Sequence, residues 1–199
     1  NWIINTAKTV EGRTTTWEFQ VLPVPTTSNR SAVLQVLETG TQQVFKTFTL
    51  TQRGARIAQK DSTALIRFHK NMRGENWRDT HLWNLLLPVD TWHGVTLETA
   101  VRNGALHVKK LELPNGRLEG SVGDGTEKDP LSQLAYLEAI DLSNNSGVTG
   151  WLPVSWKDLE NLETINLDNC NLTNFMFFGY NIPPQYGTTL KNLTTFIIR

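Results

Sequence analysis

Four histidines and one cysteine are the side chains of this chain best suited to catalysis or metal binding, and their spacing favours neither. They are His69, His81, His93, His107 and Cys170. Zinc proteases pair two histidines on one helix face, and many hydrolases mark the nucleophile with a glycine-flanked turn. Neither pattern occurs in the sequence, which also lacks the glycine-rich loops that cradle phosphates. We therefore expect no catalytic residues, no cofactor and no bound metal.

Carboxylates offer a second possible chemistry. Asp141 and Asp168 occur in related positions of two repeated segments, and adjacent strands lie about 4.8 Å apart. Paired carboxylates can hydrolyse glycosidic bonds, but that reaction needs an enclosed pocket that an open sheet does not provide. Asp124, Glu127 and Asp129 could ligate a hard cation, yet their spacing matches no calcium loop. We expect a solvated turn there, and we do not expect an enzyme.

The elements that would position these residues repeat along the second half of the chain. An apolar pattern of the form LxxLxL returns four times, and its last position recurs every 25 to 31 residues, at Leu113, Leu142, Leu167 and Ile198. This period is typical of stacked repeats, in which each short strand is buried only by neighbouring units. Three residues after the first three of these positions come Gly116, Asn145 and Cys170, and the chain then returns to the core at Leu118, Val148 and Leu172.

These positions resemble the plant-type leucine-rich repeat, LxxLxLxxNxLxGxIPxxLxxLxxL. Upstream, apolar residues from Ile57 to Met72 recur at helical spacing, with Gly74 as the stop. Together with the tryptophans, they resemble the N-terminal cap of such repeats; the matching residues are Asp61, Ala64, Leu65, Phe68, Trp77, Trp83 and Trp92. Thr91 and Leu97 replace the usual cysteine pair, so the resemblance implies a cap held by packing. We expect its tryptophans, and the Cys170 thiol, to be buried structural groups.

The first quarter of the chain alternates with a period of two, which predicts antiparallel strands. The predicted strands cover residues 2–4, 17–21, 32–37 and 44–51. Residues 29–36 and 46–52, with Trp2, resemble the end of a BACON domain, an immunoglobulin-like module of bacterial surface proteins. That resemblance implies carbohydrate or mucin binding. The aromatic side chains of these strands are expected to pack in a core; they are Trp2, Trp17, Phe19 and Phe48.

The predicted fold is an α/β leucine-rich-repeat solenoid with short parallel strands, preceded by an all-β immunoglobulin-like sandwich segment. Residues 1–54 form the β segment, residues 55–107 the helical, tryptophan-rich cap, and residues 108–199 about four repeats, the last one truncated. In such a fold, strand residues that alternate with the buried leucines form a concave binding surface. The predicted binding residues are Lys110, Glu112, Asp141, Ser143, Thr164, Asn166, Asp168 and Thr195.

The function that this fold predicts is non-catalytic recognition of a protein or glycan partner. One alternative is carbohydrate or mucin binding by the β segment, with the repeats as a spacer, and another is an accessory region of a larger surface enzyme. Lys and Arg equal Asp and Glu at 19 each, and without clustered positive charge we expect no nucleic-acid partner. The Phe175–Tyr180 stretch, written FMFFGY in the sequence, could pack as core or recruit a partner, and we expect core.

The sequence also bears on location and assembly. It contains no apolar run long enough for a transmembrane helix. It opens at Asn1 without a methionine, which is compatible with a removed targeting segment. With the BACON resemblance, this predicts an extracytoplasmic protein, cell-surface or secreted, of bacterial type, with lipid anchoring left open. The fourth repeat stops just after its strand at Arg199, so we expect further chain beyond it or a dimer through that apolar end.

Overall fold

The computed structural model describes residues 3–11, 14–21, 30–37, 43–52, 56–123, 129–172 and 183–199. The chain divides into two compact units, Asn1–Ala55 and Arg56–Arg199. The first contains extended strands whose sequences alternate between apolar and polar residues. The second contains the helix, the tryptophans and the leucine repeats, so cap and repeats share one unit.

The first unit contains two antiparallel hairpins. Strand β1 (Ile3–Glu11) pairs with β2 (Thr14–Val21), and β3 (Arg30–Leu37) pairs with β4 (Val44–Gln52). Each pair forms its own two-stranded sheet. The predicted strands are confirmed, although β1 extends seven residues beyond the predicted end at Ile4. The immunoglobulin-like sandwich and the BACON resemblance stay predictions.

The aromatic residues of this unit do not all follow the prediction of core packing. Phe48 is 50% exposed, so that prediction is wrong for this side chain. Its neighbour across the hairpin, Leu34, is only partly buried, and a single ladder provides too little surface to cover both. Trp2 lies outside the described residues, and for Trp17 and Phe19 the structure describes the backbone alone.

The strands of the second unit are short, as the repeat pattern predicts. They are β5 (Arg56–Ile57), β6 (Val95–Leu97), β7 (Ala105–Leu106), β8 (Val108–Glu112), β9 (Glu119–Ser121), β10 (Ala139–Asp141), β11 (Gly147–Thr149), β12 (Thr164–Asn166) and β13 (Thr195–Ile197). The largest sheet has the order β6-β8-β10-β12-β13. Its last four strands run parallel, side by side and in chain order. The predicted stacking of the four repeats is confirmed.

The core of this unit lies behind the sheet. Leu111, Ile140 and Ile165 face one another across three neighbouring strands and are fully buried. Burying one such side chain contributes about 1.5–3 kcal/mol, and only adjacent repeats provide the covering surface. The fourth repeat contributes Phe196, which is partly buried against the same core. Stacking of the units is therefore what stabilises each strand.

Short helices and a second small ladder close the other side of the repeats. Strands β9 and β11 pair in parallel, and three short helical segments follow the strands. These are two 3-10 helices at Pro130–Gln133 and Val154–Asp158 and the helix α2 (Tyr186–Thr189). Trp156, in the 3-10 helix Val154–Asp158, is fully buried. The Phe175–Tyr180 stretch lies outside the described residues.

The cap precedes the sheet and covers its first strand. Helix α1 spans Gln59–Asn71 and buries Leu65 and Phe68. The helical prediction is wrong at Ile57, which instead pairs with Leu106 in β5–β7, because the helix starts only at Gln59. Trp77, Trp83 and Trp92 are buried as predicted; the indole nitrogens donate to the carbonyls of Met72, of His93, and of Asn84 and Leu87, respectively.

No helix of the described ranges could cross a bilayer. The longest, α1, has 13 residues, whereas a spanning helix needs about 20 apolar residues.

Candidate functional site

The candidate site is the open face of the five-stranded sheet, formed by strand residues that alternate with the buried leucines. Strand register aligns these residues in rows across β8, β10, β12 and β13. One row contains Lys110, Ala139, Thr164 and Thr195, and the next contains Glu112, Asp141, Asn166 and Ile197. A third row, Pro114, Ser143, Asp168 and Arg199, follows from backbone hydrogen bonds just beyond the strands. The structure thus brings the eight predicted residues onto one sheet.

Hydrogen bonds connect the middle of the open face. Asn166 Nδ2 donates to Asp141 Oδ2 at 3.1 Å, and Asp141 Oδ1 accepts from the Ser143 amide at 2.9 Å. The Arg199 guanidinium pairs with the Asp168 carboxylate at 3.1 Å. Both aspartates therefore have polar partners and lie in different rows. This arrangement holds oxygen acceptors in fixed positions on the face and does not resemble an enclosed pair of catalytic carboxylates.

Two residues of the face are less accessible than expected. Ser143 is 5% exposed and Ala139 is also buried, so these two side chains offer little surface to a ligand. The reason is size, because each small side chain lies between larger ones of the neighbouring strands. Thr164, Asn166, Asp168, Thr195 and Lys110 are partly exposed, and Glu112 is exposed.

The charge of the face is moderately negative. A fourth row borders the face where β10, β12 and β13 begin; it directly precedes the Lys110 row and contains Lys109, Glu138, Glu163 and Thr194. Lys109 pairs with Glu138 at 3.1 Å, as Arg199 does with Asp168. Among the described residues, the remaining charges are Glu112, Asp141 and Glu163 against Lys110 alone. A ligand with positive charge would therefore be favoured electrostatically.

An asparagine ladder borders the third row, and sequence reasoning missed it. Asn115, Asn144 and Asn169 each directly follow that row and adopt a left-handed backbone, with φ of 58°, 58° and 55°. Asparagine tolerates this conformation better than most residues. Asn169 Nδ2 donates to Asn144 Oδ1 at 2.9 Å, and Arg78 donates to Asn115 Oδ1 at 3.0 Å. The signal in the sequence was asparagine recurring two residues after the last strand leucine.

Behind the face, Asn145 holds consecutive repeats together. Its Nδ2 donates to the carbonyls of Leu113 and Leu142 at 2.9 and 2.8 Å, and its Oδ1 accepts from the Leu118 amide at 3.1 Å. Cys170 occupies the same position one repeat later and donates from Sγ to the Leu142 carbonyl at 3.2 Å. Burial raises the pKa of the Cys170 thiol to about 11, which makes it a weak nucleophile near neutral pH. The hydrogen bond agrees with the predicted structural role, whereas the prediction of a buried thiol holds only in part because Cys170 is half-buried.

The histidines are less scattered in space than in sequence. The rings of His81 and His93 lie 4.2 Å apart, and His81 Nε2 is 3.1 Å from the Pro114 carbonyl oxygen. Burial, and then the neighbouring His93, lower the pKa of His81. The described part of the chain holds no group of three histidine, cysteine or acidic residues arranged to bind a metal. His81 fixes the cap loop to the segment that follows the first repeat strand.

Asp61 has a structural role. Its Oδ2 accepts from the Val108 amide at 2.8 Å and lies 3.4 Å from His107 Nδ1, so helix α1 is tied to the first repeat strand. Burial raises the pKa of Asp61 even though these hydrogen bonds act in the opposite direction. The residue is conspicuous in the sequence pattern of the cap, but its backbone partner 47 positions away could only be found in three dimensions.

Asp129 contradicts the prediction of a solvated turn. It is buried and accepts hydrogen bonds from the amides of Leu131 and Ser132 at 3.2 and 2.9 Å and from Trp156 Nε1 at 2.7 Å. Burial raises its pKa to about 6 despite these donors. The carboxylate caps a 3-10 helix and joins two repeats. Asp124 and Glu127, the other two candidate cation ligands, lie outside the described residues.

Comparisons with known proteins identify the fold. No protein family and no curated protein matches the chain. Among solved structures, the chain is similar to the LRR ectodomain of the receptor kinase SOBIR1 from Arabidopsis thaliana, with 19% identity and a TM-score of 0.52 over 70% of this chain and 66% of that one. It is also similar to PEPR1 in the PEPR1–AtPEP1 complex, with 18% identity and a TM-score of 0.54 over 71% of this chain and 18% of that one.

The chain thus spans just under two thirds of the SOBIR1 ectodomain and a small part of the PEPR1 chain. At these identities the likeness concerns the fold. Together with the parallel, chain-ordered strands of the main sheet, it shows that the second half of the chain has a leucine-rich-repeat fold.

Proposed function

We propose that this chain is a non-catalytic, extracytoplasmic recognition module that binds a protein partner across the open face of its repeat sheet. The observation that supports this most directly is the row of Glu112, Asp141 and Asn166, held in register on neighbouring strands with polar atoms directed away from the core. A rigid, preformed set of acceptors loses little entropy when a ligand binds.

A protein partner fits the face better than a glycan does. The four rows of the face carry no aromatic side chain, whereas sugar sites commonly stack the ring of the sugar on an aromatic residue. Backbone and side-chain polar groups of an extended polypeptide match a face of short, evenly spaced strands. The fold is also that of PEPR1, whose structure is of a complex with AtPEP1.

The proposal is tested by selecting binders from a phage-displayed random peptide library on the full chain. Selected clones are then measured by biolayer interferometry against the double variant Asp141→Ala/Asn166→Ala. We expect at least a tenfold loss of affinity, because the variant removes the central acceptors. Asp158→Ala, which removes an exposed carboxylate from a 3-10 helix outside the sheet, is the matched control. Clones that bind both variants equally well would place the site elsewhere.

Carbohydrate binding by the N-terminal unit is the second candidate function. The half-exposed ring of Phe48, with Lys46 Nζ 6.0 Å from its centre, is the observation that favours it. A glycan array probed with the full chain and with Phe48→Ala tests this function. Glycan signals that disappear in the variant would support it, and an array without signals would exclude the arrayed sugars.

A further inference from the structure

A turn in the cap exposes four leucines. Leu82, Leu85 and Leu87 are 42 to 50% exposed, and Leu86 is 95% exposed. We call these four residues the leucine turn. A single exposed leucine is ordinary, but four within six positions form an apolar patch of the kind found at protein interfaces. Leu86 contributes almost no buried surface to the folding of this chain.

The leucine turn is held in one conformation. The Leu86 amide donates to Asn84 Oδ1 at 3.0 Å and the Leu87 amide to the Asn84 carbonyl at 2.9 Å. The indole of Trp92 donates to the carbonyls of Asn84 and Leu87, and it stacks on Trp83 with 4.8 Å between ring centres. Buried tryptophans therefore support the turn from within. Little conformational entropy remains to be lost when a partner binds it.

Both ends of the loop that contains the turn attach to the first repeat, at β8 or just beyond it. On one side, the Arg78 amide donates to the Gly116 carbonyl at 2.9 Å, and His81 contacts the Pro114 carbonyl. On the other side, the Gly94 carbonyl accepts from the Glu112 amide at 2.8 Å. Glu112 and Pro114 belong to the open face. The loop that carries the leucine turn is therefore anchored at the C-terminal end of β8, where the first repeat contributes Glu112 and Pro114 to the face.

The charge of the face indicates what kind of partner could cover both surfaces. Glu112, Asp141 and Glu163 outnumber the single unpaired Lys110 among the described residues of the face. A cationic segment complements this surface, and an apolar side chain complements the adjoining turn. The turn alone is too small for a stable dimer, since each partner of a stable complex buries roughly 800 Å².

We propose that the partner presents an extended, net-basic segment whose apolar anchor residue packs on the leucine turn while its cationic residues lie over the open face. This inference rests on the proposed function of the face and specifies the chemistry of its partner. The turn fixes one end of the bound segment, and the acidic rows favour positive charge along the rest.

The test uses the same phage-displayed peptide library and the full chain, with Leu86→Ser as the decisive variant. Because Leu86 is almost fully exposed, this change should leave the thermal transition unaltered. We expect clones that combine lysine or arginine with an aliphatic or aromatic residue, a loss of at least tenfold on Leu86→Ser, and weaker binding as NaCl is raised. Ile66→Ser is the control, because Ile66 is a partly exposed aliphatic residue on helix α1, away from the leucine turn in the sequence. This variant should bind the clones as the wild type does.

The outcomes separate the two proposals. Clones that lose affinity on Asp141→Ala/Asn166→Ala but bind Leu86→Ser normally would overturn the role of the leucine turn and leave the function of the face intact. Clones that depend on Leu86 but not on the face would overturn the proposal that one bound segment covers both surfaces. Clones that depend on neither would overturn both, and selected sequences without positive charge would overturn the basic partner.

Discussion

The repeat unit and the N-terminal hairpins are both built from short alternating strands, yet they bury their apolar side chains to different degrees. Leu111, Ile140 and Ile165 of the repeats are fully buried, whereas Val33 is 61% and Phe48 50% exposed in the hairpin of β3 and β4. Central repeat strands have a neighbour on each side and helices behind them. Each hairpin strand pairs with one partner in its own two-stranded sheet.

This difference shows that alternation alone does not decide burial. The apolar face of a strand stabilises the fold only when a second layer covers that face. An isolated two-stranded hairpin is therefore marginally stable in water. In the repeat unit, each strand provides part of the cover for the next, and the tryptophan cap covers the first. Substitutions in the two units should therefore have unequal effects on stability.

The largest contrast is expected from a charge placed on each kind of strand. Leu142→Asp puts an unpaired carboxylate in the repeat core and should destabilise the unit by more than about 4 kcal/mol, enough to unfold it. Leu167→Asp should act in the same way. Val33→Asp, on the exposed hairpin face, should cost less than about 1 kcal/mol. Urea denaturation followed by tryptophan fluorescence measures both; an unchanged transition in Leu142→Asp would contradict the assigned core.

Within the repeat unit, the Asn145 and Cys170 positions give a finer comparison. Asn145→Ala leaves the Leu118 amide and the Leu113 carbonyl without their side-chain partner and should cost about 2–4 kcal/mol. Cys170→Ala removes one thiol hydrogen bond and should cost about 1 kcal/mol. Equal losses of unfolding free energy in the two variants would show that the hydrogen bonds of Asn145 stabilise the fold no more than the thiol of Cys170 does.

Asp129 makes the stability of the repeat unit depend on pH. Its pKa rises from 3.8 to about 6 on folding, so the folded state binds the proton more tightly than the unfolded state does. The contribution of Asp129 to the free energy of unfolding is therefore greatest below pH 3.8. That contribution is lost as pH rises through about 6, and two pKa units correspond to roughly 3 kcal/mol. The difference in unfolding free energy between wild type and Asp129→Asn should therefore change between pH 4 and 7. Asp158→Asn, at an exposed carboxylate, controls for the lost charge; a flat difference would contradict the shift.

The smallest effect is expected at Phe48. Because half of its surface is already in water, Phe48→Ser should change stability by less than about 1 kcal/mol. Phe68→Ala in the cap, where the ring is buried against Trp77 and Trp83, should cost about 3–5 kcal/mol. Thermal melts of the two variants provide the comparison. A loss at Phe48 as large as that at Phe68 would show that the hairpin ring is covered in solution.

Local spacing in the sequence was sufficient to predict the repeat strands, their order and the buried tryptophans. Apolar residues that recur every 25 to 31 positions must share a core, because no single repeat can bury them. The same reasoning placed Lys110, Glu112, Asp141 and Asn166 on the opposite face. It failed where burial depends on the size of neighbours in other strands, as for Ser143.

Only the tertiary structure revealed contacts between residues far apart in the chain. Asp129 was predicted to be solvated because the residues around it are polar, yet it is buried, and Trp156 from the next repeat donates a hydrogen bond to it. Burial raises the pKa of its carboxyl even though this hydrogen bond acts in the opposite direction. The approach of His81 to His93, and the anchoring of the cap loop at Pro114, also depend on how the cap packs on the first repeat. Periodicity reports which side of an element is apolar, whereas side-chain partners are decided by packing between elements, which no local pattern encodes.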